Sequence, residues 1–476
     1  MKTDLVHQYY VDGKWMDAEE TIDLKSPYWG QVIATVPQVN KEEVAKAIES
    51  AEQGAQRIKK LTPLERSEIL EKVSRLFKER AEEAARILAS EAAKPLTAAR
   101  AEVERTIETY KFAAEEAKRI TGETIPMDAA KSGKGRVAFT MREPLGIIAA
   151  ITPFNFPFNL VAHKLGPAIA AGNAVVLKPA NQTPLSALFT AKLFEEAGLP
   201  AGALNVVPGK GSVIGDVLVT DSRIKMVTFT GSYEVGLSLK EKAGLKKVTL
   251  ELGSNSAVIV ESTDDLDDVV KRCVQGAYAY AGQVCISIQR IYVNEALYET
   301  FLEKFIAHTN SLVIGDPLDE KTDVSALISE READRISSWL EEAKSAGARI
   351  ALGGKHSGAM MEPTIIVDGS EELSISCQEA FAPVVNMTPY GSFDEAIKLV
   401  NDSAYGLQAG VITTSIHQAF QAVHEIEVGG VMVNDIPTFR VDQMPYGGVK
   451  NSGSGREGIP YSVEEMTELK LVSFKL

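Results

Sequence analysis

What most constrains this chain is a set of short apolar runs, most of them closed off by glycine or proline and separated by helix-length stretches. Leu145-Gly-Ile-Ile-Ala-Ala-Ile151, Ala174-Val-Val-Leu-Lys178, Leu204-Asn-Val-Val207 and Met226-Val-Thr-Phe229 are of this kind, with helical stretches such as residues 184–197 between them. A strand wetted on one side alternates polar and apolar residues. These runs do not, which is the pattern of a parallel sheet covered by helices on both faces. The alternation restarts after Glu251. Ser256-Ala-Val-Ile-Val260, Arg290-Ile-Tyr-Val293 and Ala409-Gly-Val-Ile412 read as strands, and residues 266–281 and 298–312 as helices. The economical reading is α/β, with two lobes and a hinge near Glu251. Residues 133–141 and 469–474 are β-prone and fit neither lobe.

Ahead of the first apolar run, residues 40–60 and 63–92 predict two long amphipathic helices without internal proline. Thr62, Pro63 and Glu65 have the order of an N-cap, a first helical residue and the acidic partner of a capping box. The 476 residues suggest two to four domains. With 65 acidic against 50 basic residues the net charge is −15, and no basic stripe is set apart, so nucleic acid is not an expected partner. The longest nearly uncharged stretch, residues 145–162, is interrupted by Pro153, Asn155, Pro157 and Asn159, so no membrane span is expected. The first fifteen residues hold no apolar leader core. A soluble, cytoplasmic protein is the expectation.

Three cysteines are too few and too scattered for a disulfide framework or a metal site, so no metal is expected. Cys273, among valines in a helix, and Cys377, beside a polar turn, read as structural. Cys285 differs. In Tyr280-Ala-Gly-Gln-Val-Cys-Ile-Ser287, Gly282 marks a chain reversal that can expose the thiol at a cleft, where a thiolate is a competent nucleophile. Glu251, between two leucines at a strand end, is paired, solvent-facing, or a base with a raised pKa. Asn155, in a turn directly after a strand, either closes that turn or offers an amide N–H to an oxyanion. Phe229-Thr-Gly-Ser-Tyr-Glu-Val-Gly236 runs from a strand into a helix start, where Ser232 is an N-cap or the free N–H groups hold a phosphate. Gly453-Ser-Gly-Arg-Glu-Gly458 matches a dinucleotide fingerprint by letter, but no strand precedes it and no acidic strand end follows, so it is set aside.

Taken in order, these elements resemble the aldehyde dehydrogenase superfamily over essentially the whole chain. Eight landmarks carry the resemblance: Thr152-Pro-Phe-Asn155, Lys178-Pro-Ala-Asn-Gln-Thr-Pro184, Phe229-Thr-Gly-Ser232 with Gly236, Leu250-Glu-Leu-Gly253, Gly282-Gln-Val-Cys285, Glu379-Ala-Phe-Ala-Pro383, Pro445-Tyr-Gly-Gly-Val-Lys450 and Ser452-Gly-Ser-Gly-Arg-Glu457. The resemblance implies two Rossmann-like α/β lobes plus a small β oligomerisation ribbon. Residues 1–121 and 145–253 would form the dinucleotide-binding domain, 254–460 the catalytic domain, and 122–144 and 461–476 the oligomerisation segments of a homodimer or homotetramer. It also implies that Cys285 attacks the aldehyde, that Asn155 and the Cys285 N–H hold the oxyanion, and that Glu251 activates the water that releases the acid. Thr152, Pro153, Phe154, Lys178, Asn181, Gly231, Ser232, Gly236, Glu379 and Phe381 would line NAD or NADP. Three departures are present. Ser254 and Ala382 each replace a usual glycine, and Ala92-Ala-Lys-Pro95 replaces a common Thr-Gly-Lys-Pro to which no role is attached.

The competing readings are a CoA-acylating relative, in which the glutamate base is commonly missing, and a non-catalytic structural or binding member. Glu251 stands against the first, and Cys285, Glu251 and Asn155 together against the second. Asn434 to Gly448 resembles the branch with lactaldehyde and non-phosphorylating glyceraldehyde-3-phosphate dehydrogenases, pointing to a small hydroxy- or anion-bearing aldehyde. Val284 stands where the phosphate-using enzyme carries arginine. Arg105 and Arg440 are candidates for an anionic substrate tail, or else structural ion-pair partners. Asn181 replaces a glutamate often seen in NAD-preferring relatives, so use of both cofactors is expected.

Overall fold

The computed structural model describes residues 7–476. The first six positions, part of the stretch read as leader-free and the start of segment 1–121, lie outside the described residues. The core of the first lobe is five parallel strands in the spatial order Leu204–Val206, Ala174–Lys178, Ile147–Ile151, Ile224–Thr230, Lys247–Glu251. Chain order therefore reverses between Ile147–Ile151 and Ile224–Thr230, and at such a switch point the carboxyl ends of the strands open a crevice for ligands. All five residues of Ile147–Ile151 and of Ala174–Lys178 are buried, which is why these strands carry unbroken apolar runs.

Two additions to this sheet have no such signature. An N-terminal hairpin, Tyr9–Val11 with Lys14–Met16, pairs antiparallel along one edge, and Gly453–Ser454 pairs antiparallel with Lys247–Glu251 on the other. The rejected glycine motif thus serves as an edge strand and turn. A Cβ on Gly453 would lie 2.4 Å from the Leu250 carbonyl oxygen.

The second sheet has seven strands. Ala257–Val260, Arg290–Asn294, Thr364–Val367, Val384–Tyr390, Gln408–Ile412 and Gly430–Val433 run parallel, and Arg349–Leu352 closes an edge antiparallel. Helices Leu266–Tyr278 and Glu295–Asn310 pack together on it. A third, three-stranded sheet joins Thr467–Lys475 to Arg136–Pro144, with Thr124–Ile125 on the other side. It exposes Phe139, Met141, Leu469, Leu471 and Phe474. Helix Ile459–Glu465, just before it, buries Ile459 and Val463 in the first lobe's core.

One expectation is corrected. Residues 63–92 form two helices, Pro63–Glu79 and Ala81–Ala92, broken at Arg80, whose φ and ψ are −117° and 26°. The Arg80 guanidinium is drawn to Glu196 (Nη2 to Oε2, 2.6 Å), and both pieces pack on helix Leu96–Ala117. The Thr62–Glu65 capping box is present. No described helix is long and apolar enough to cross a membrane.

Candidate active site

Four loops leave the carboxyl ends of neighbouring first-lobe strands and bring predicted residues together. Thr152, Pro153, Phe154 and Asn155 follow Ile147–Ile151; Asn181 lies three residues beyond Lys178, which ends Ala174–Lys178; Gly231 and Ser232 follow Ile224–Thr230; and Glu251 ends Lys247–Glu251. Ser232 precedes helix Tyr233–Ala243, but its side chain makes no capping bond, so the N-terminal end of this helix stays open. Gly236 lies in that helix, where a Cβ would come within 2.5 Å of Leu252 Cδ2. The Lys178 side chain is buried, its Nζ donating to the Pro179 carbonyl (2.9 Å), and burial lowers its ammonium to about 8. Asn181 Oδ1 and Thr230 Oγ1 are buried without a hydrogen-bond partner among the described residues.

The second lobe contributes Glu379, whose Oε1 accepts from the Ser254 N–H (3.0 Å). A Cβ on Gly253 would sit 2.4 Å from Glu379 Oε2, so glycine is needed for this approach. Burial raises the Glu379 carboxyl to about 7 against the pull of that N–H. Phe381, at φ 51°, meets the Phe154 ring edge to face at 5.9 Å. Orphaned oxygens on Asn181 and Thr230, a buried ammonium on Lys178 in the first lobe and a clamped carboxyl on Glu379 in the second fit a dinucleotide whose ribose hydroxyls supply the missing donors. Among the described residues, no group of three or more His, Cys, Asp or Glu is arranged to hold a metal ion.

Cys285 is reached through a left-handed reversal: Tyr280, Ala281 and Gly282 have φ of 49°, 53° and 70°. Only glycine fits the last position, since a Cβ there would lie 2.1 Å from the Ala382 carbonyl oxygen. The reversal turns the thiol toward Tyr446, Sγ to Oη 2.8 Å. Burial pushes the thiol up to about 11, the Tyr446 hydroxyl and the Arg440 charge pull it down, and Glu379 and Glu251 add to the rise. Asn155 is tied to the same loop, Nδ2 donating one hydrogen to the Gln283 carbonyl (2.9 Å). The second amide hydrogen has no partner among the described residues. Cys273 is buried in the core of the second lobe, and Cys377 is exposed.

Glu251 is buried with neither carboxylate oxygen hydrogen-bonded among the described residues. Oε1 faces Gly447, next in chain to Tyr446, where a Cβ would lie 2.9 Å away. Burial raises this carboxyl well above the ordinary range, and the charge of Glu457 adds to the rise. Glu457 itself accepts from Lys164 Nζ (3.0 Å) and Arg440 Nη2 (3.2 Å). Burial opposes its charge, but those two cations hold it low.

Both candidate substrate arginines are engaged. Arg105 Nη2 donates to Asp442 Oδ1 (2.6 Å), which also accepts from His163 Nε2 (2.8 Å), and Arg440 lies 3.6 Å over the Tyr446 ring. They belong to one cluster beside Cys285, and in each guanidinium Nε is without a partner among the described residues. Tyr446, His163, Lys164, Asp442 and Lys94 were not singled out from the sequence. The available signal was charge inside apolar context, as in Val161-Ala-His-Lys-Leu165.

The aldehyde dehydrogenase family model matches residues 15–472, and the chain belongs to that family. It is 48% identical over 473 residues to the 3-sulfolactaldehyde dehydrogenase of Priestia megaterium, covering 99% of each chain. Against the lactaldehyde dehydrogenase of Methanocaldococcus jannaschii the identity is 42% over 468 residues, covering 97% of this chain and 99% of the other. Among solved structures, aldehyde dehydrogenase 21 from Physcomitrella patens, in complex with the reaction product succinate, superposes with a TM-score of 0.96 at 40% identity, over 99% of this chain and 98% of that one. A glyceraldehyde-3-phosphate dehydrogenase from Methanocaldococcus jannaschii, complexed with NADP, gives 0.93 at 41%, over 96% and 100%.

Proposed function

We propose that this protein oxidises a small hydroxy- or anion-bearing aldehyde to the free carboxylic acid, using NAD or NADP. The observation that carries the reading is the convergence on Cys285: its thiol against the Tyr446 hydroxyl, Asn155 tied to the same loop, and the unbonded Glu251 carboxylate against Gly447. In this reading 1–121 and 145–253 form the dinucleotide-binding domain and 254–460 the catalytic domain.

Cys285, its thiol proton released to solvent, attacks the aldehyde carbonyl carbon as the thiolate to give a thiohemiacetal, and the oxyanion is held by the second Asn155 amide hydrogen and the Cys285 N–H. Such donors contribute about 2.7–4 kcal/mol each. Bound between Lys178 and Glu379, the nicotinamide cofactor supplies the hydride acceptor. Thr152, Pro153, Phe154, Asn181, Gly231, Ser232, Gly236 and Phe381 line its groove. The thioester left on Cys285 is cleaved by water. Glu251, with a carboxyl that binds a proton more tightly than an exposed one, takes the water proton as oxygen attacks the carbonyl, and the Cys285 thiolate leaves.

Relatives named for 3-sulfolactaldehyde and lactaldehyde, and one holding succinate, support a short substrate carrying hydroxyl or anionic groups. Arg105 and Arg440 are the groups assigned to the anionic end. The ribbon of residues 122–144 and 461–476, with its exposed apolar side chains, supports a homodimer or homotetramer, and the cytoplasm is the assigned compartment. Nicotinamide absorbance with a panel of short aldehydes, with and without CoA, tests the reaction. Turnover that requires CoA, or none with any aldehyde, overturns it.

A further inference from the structure

The turn between helices Ala81–Ala92 and Leu96–Ala117 carries a lysine that the chemistry above does not use. The Lys94 side chain is 1% exposed, and its ammonium pairs with Glu102, itself fully buried. The same Nζ donates to the main-chain carbonyl of Asn155 (2.5 Å). It also lies 3.7 Å from the Phe156 ring centre and 4.4 Å from that of Tyr280. The other Glu102 oxygen accepts from the N–H groups of Phe158 (2.9 Å) and Asn159 (3.2 Å). Tyr280 opens the left-handed reversal that delivers Cys285, and its hydroxyl donates to the Ala92 carbonyl (2.9 Å), two residues from Lys94.

The geometry points to Lys94, with Glu102 as its counter-ion, as a positioning residue for the Asn155 amide. One ammonium fixes the carbonyl of the oxyanion-binding residue, its carboxylate partner fixes the amides three and four residues on, and two rings on either side join this loop to the nucleophile's loop. A buried ion pair adds little net stability, because desolvation offsets the attraction. Its effect here is on placement, and an oxyanion donor acts only when preorganised at the right point. The inference rests on the role given to Asn155 above.

The test is a double-mutant cycle on the intact enzyme. Lys94→Met combined with Glu102→Gln removes both charges and leaves no unpaired buried ion. The expected result is a burst of reduced cofactor slowed by about tenfold or more, with aldehyde KM, cofactor Kd and iodoacetamide alkylation of Cys285 each within about twofold of wild type. In an Asn155→Ala background the same pair of changes should cost less than about twofold further, because the amide they place is gone. Full additivity, a burst at the wild-type rate, or a parallel loss of alkylation and cofactor binding overturns the inference. Should the paired variant not fold, Lys94→Arg, which keeps the charge but not a point ammonium between two rings, is read by the same cycle. If Asn155→Ala alone leaves the burst rate unchanged, it is the reading of Asn155 that fails.

Discussion

The Tyr446 hydroxyl lies 2.8 Å from the Cys285 sulfur, across 161 residues of chain. Tyr446 carries the Arg440 guanidinium on its ring face, so a fixed positive charge stands behind the hydroxyl that touches the thiol. Burial raises the thiol to about 11, and this contact works against the rise. The free thiol is therefore mostly protonated at neutral pH. Iodoacetamide alkylation of Cys285 should quicken steadily with pH until about 11. Tyr446→Phe should slow it at each pH below that by about tenfold, the worth of one hydrogen bond to a charged group. An identical pH profile in the variant removes Tyr446 from the account.

Replacing the nucleophile tests the covalent route. Cys285→Ser should abolish oxidation while cofactor affinity, read by quenching of protein fluorescence, stays close to wild type. Activity within about tenfold of wild type, a loss of only about 1.4 kcal/mol, refutes the assignment.

Glu251→Gln separates the two halves of the reaction. With both carboxylate oxygens free of partners among the described residues, the amide is accommodated without breaking a hydrogen bond seen there. A rapid burst of reduced cofactor should remain, followed by turnover slowed by about a hundredfold or more. If the steady state matches wild type, another group activates the water.

Cofactor choice centres on Lys178 and Asn181. Asn181→Glu should shift kcat/KM toward NAD, because a carboxylate accepts from ribose hydroxyls and repels a 2′-phosphate, by about 1–3 kcal/mol in a partly desolvated groove. The wild type should use both cofactors within about a hundredfold. Since burial lowers the Lys178 ammonium to about 8, its charge fades as pH rises past that value. The KM for NADP should accordingly grow faster than that for NAD between pH 7 and 9. Constant ratios across that range, or no NADP turnover at all, contradict this.

The two arginines should behave differently, although the sequence reading treated them alike. Arg105 is partly exposed and held by one carboxylate, Asp442. Arg105→Ala should raise KM about tenfold or more for an anionic aldehyde and hardly at all for a neutral one. Arg440, stacked on Tyr446 and bonded to Glu457, should also lower kcat when changed to alanine. Equal KM increases for charged and neutral aldehydes in Arg105→Ala would falsify the anchoring role.

Four strands of the first lobe and three of the second could be read from the sequence because burial on two faces leaves unbroken apolar runs, and Ala174–Lys178 and helix Pro184–Ala197 have the bounds expected; Arg349–Leu352, Thr364–Val367, Val384–Tyr390 and Gly430–Val433 were not read. Cys285, Glu251 and Asn155 were candidates on local pattern alone, each with a structural alternative, and the resemblance to the aldehyde dehydrogenase family is what assigned them their expected roles. Other features depend on partners distant in sequence. Arg80 breaks a continuous helical pattern where it meets Glu196, and the three-residue strand Tyr9–Val11 is too short to leave a period. Whether Arg105 and Arg440 are free or paired depends on Asp442 and Glu457. Lys94 was noted only within Ala92-Ala-Lys-Pro95, to which no role was attached, because the carbonyl it bonds lies 61 residues away. Periodicity and turn chemistry are properties of neighbouring residues, so the sequence alone determined the fully buried strands, most helices and the candidate reactive groups. The raised Glu251 and Cys285, the contact with Tyr446 and the clamp on Asn155 arise from desolvation and Coulomb forces between distant segments, and only the tertiary structure decided them.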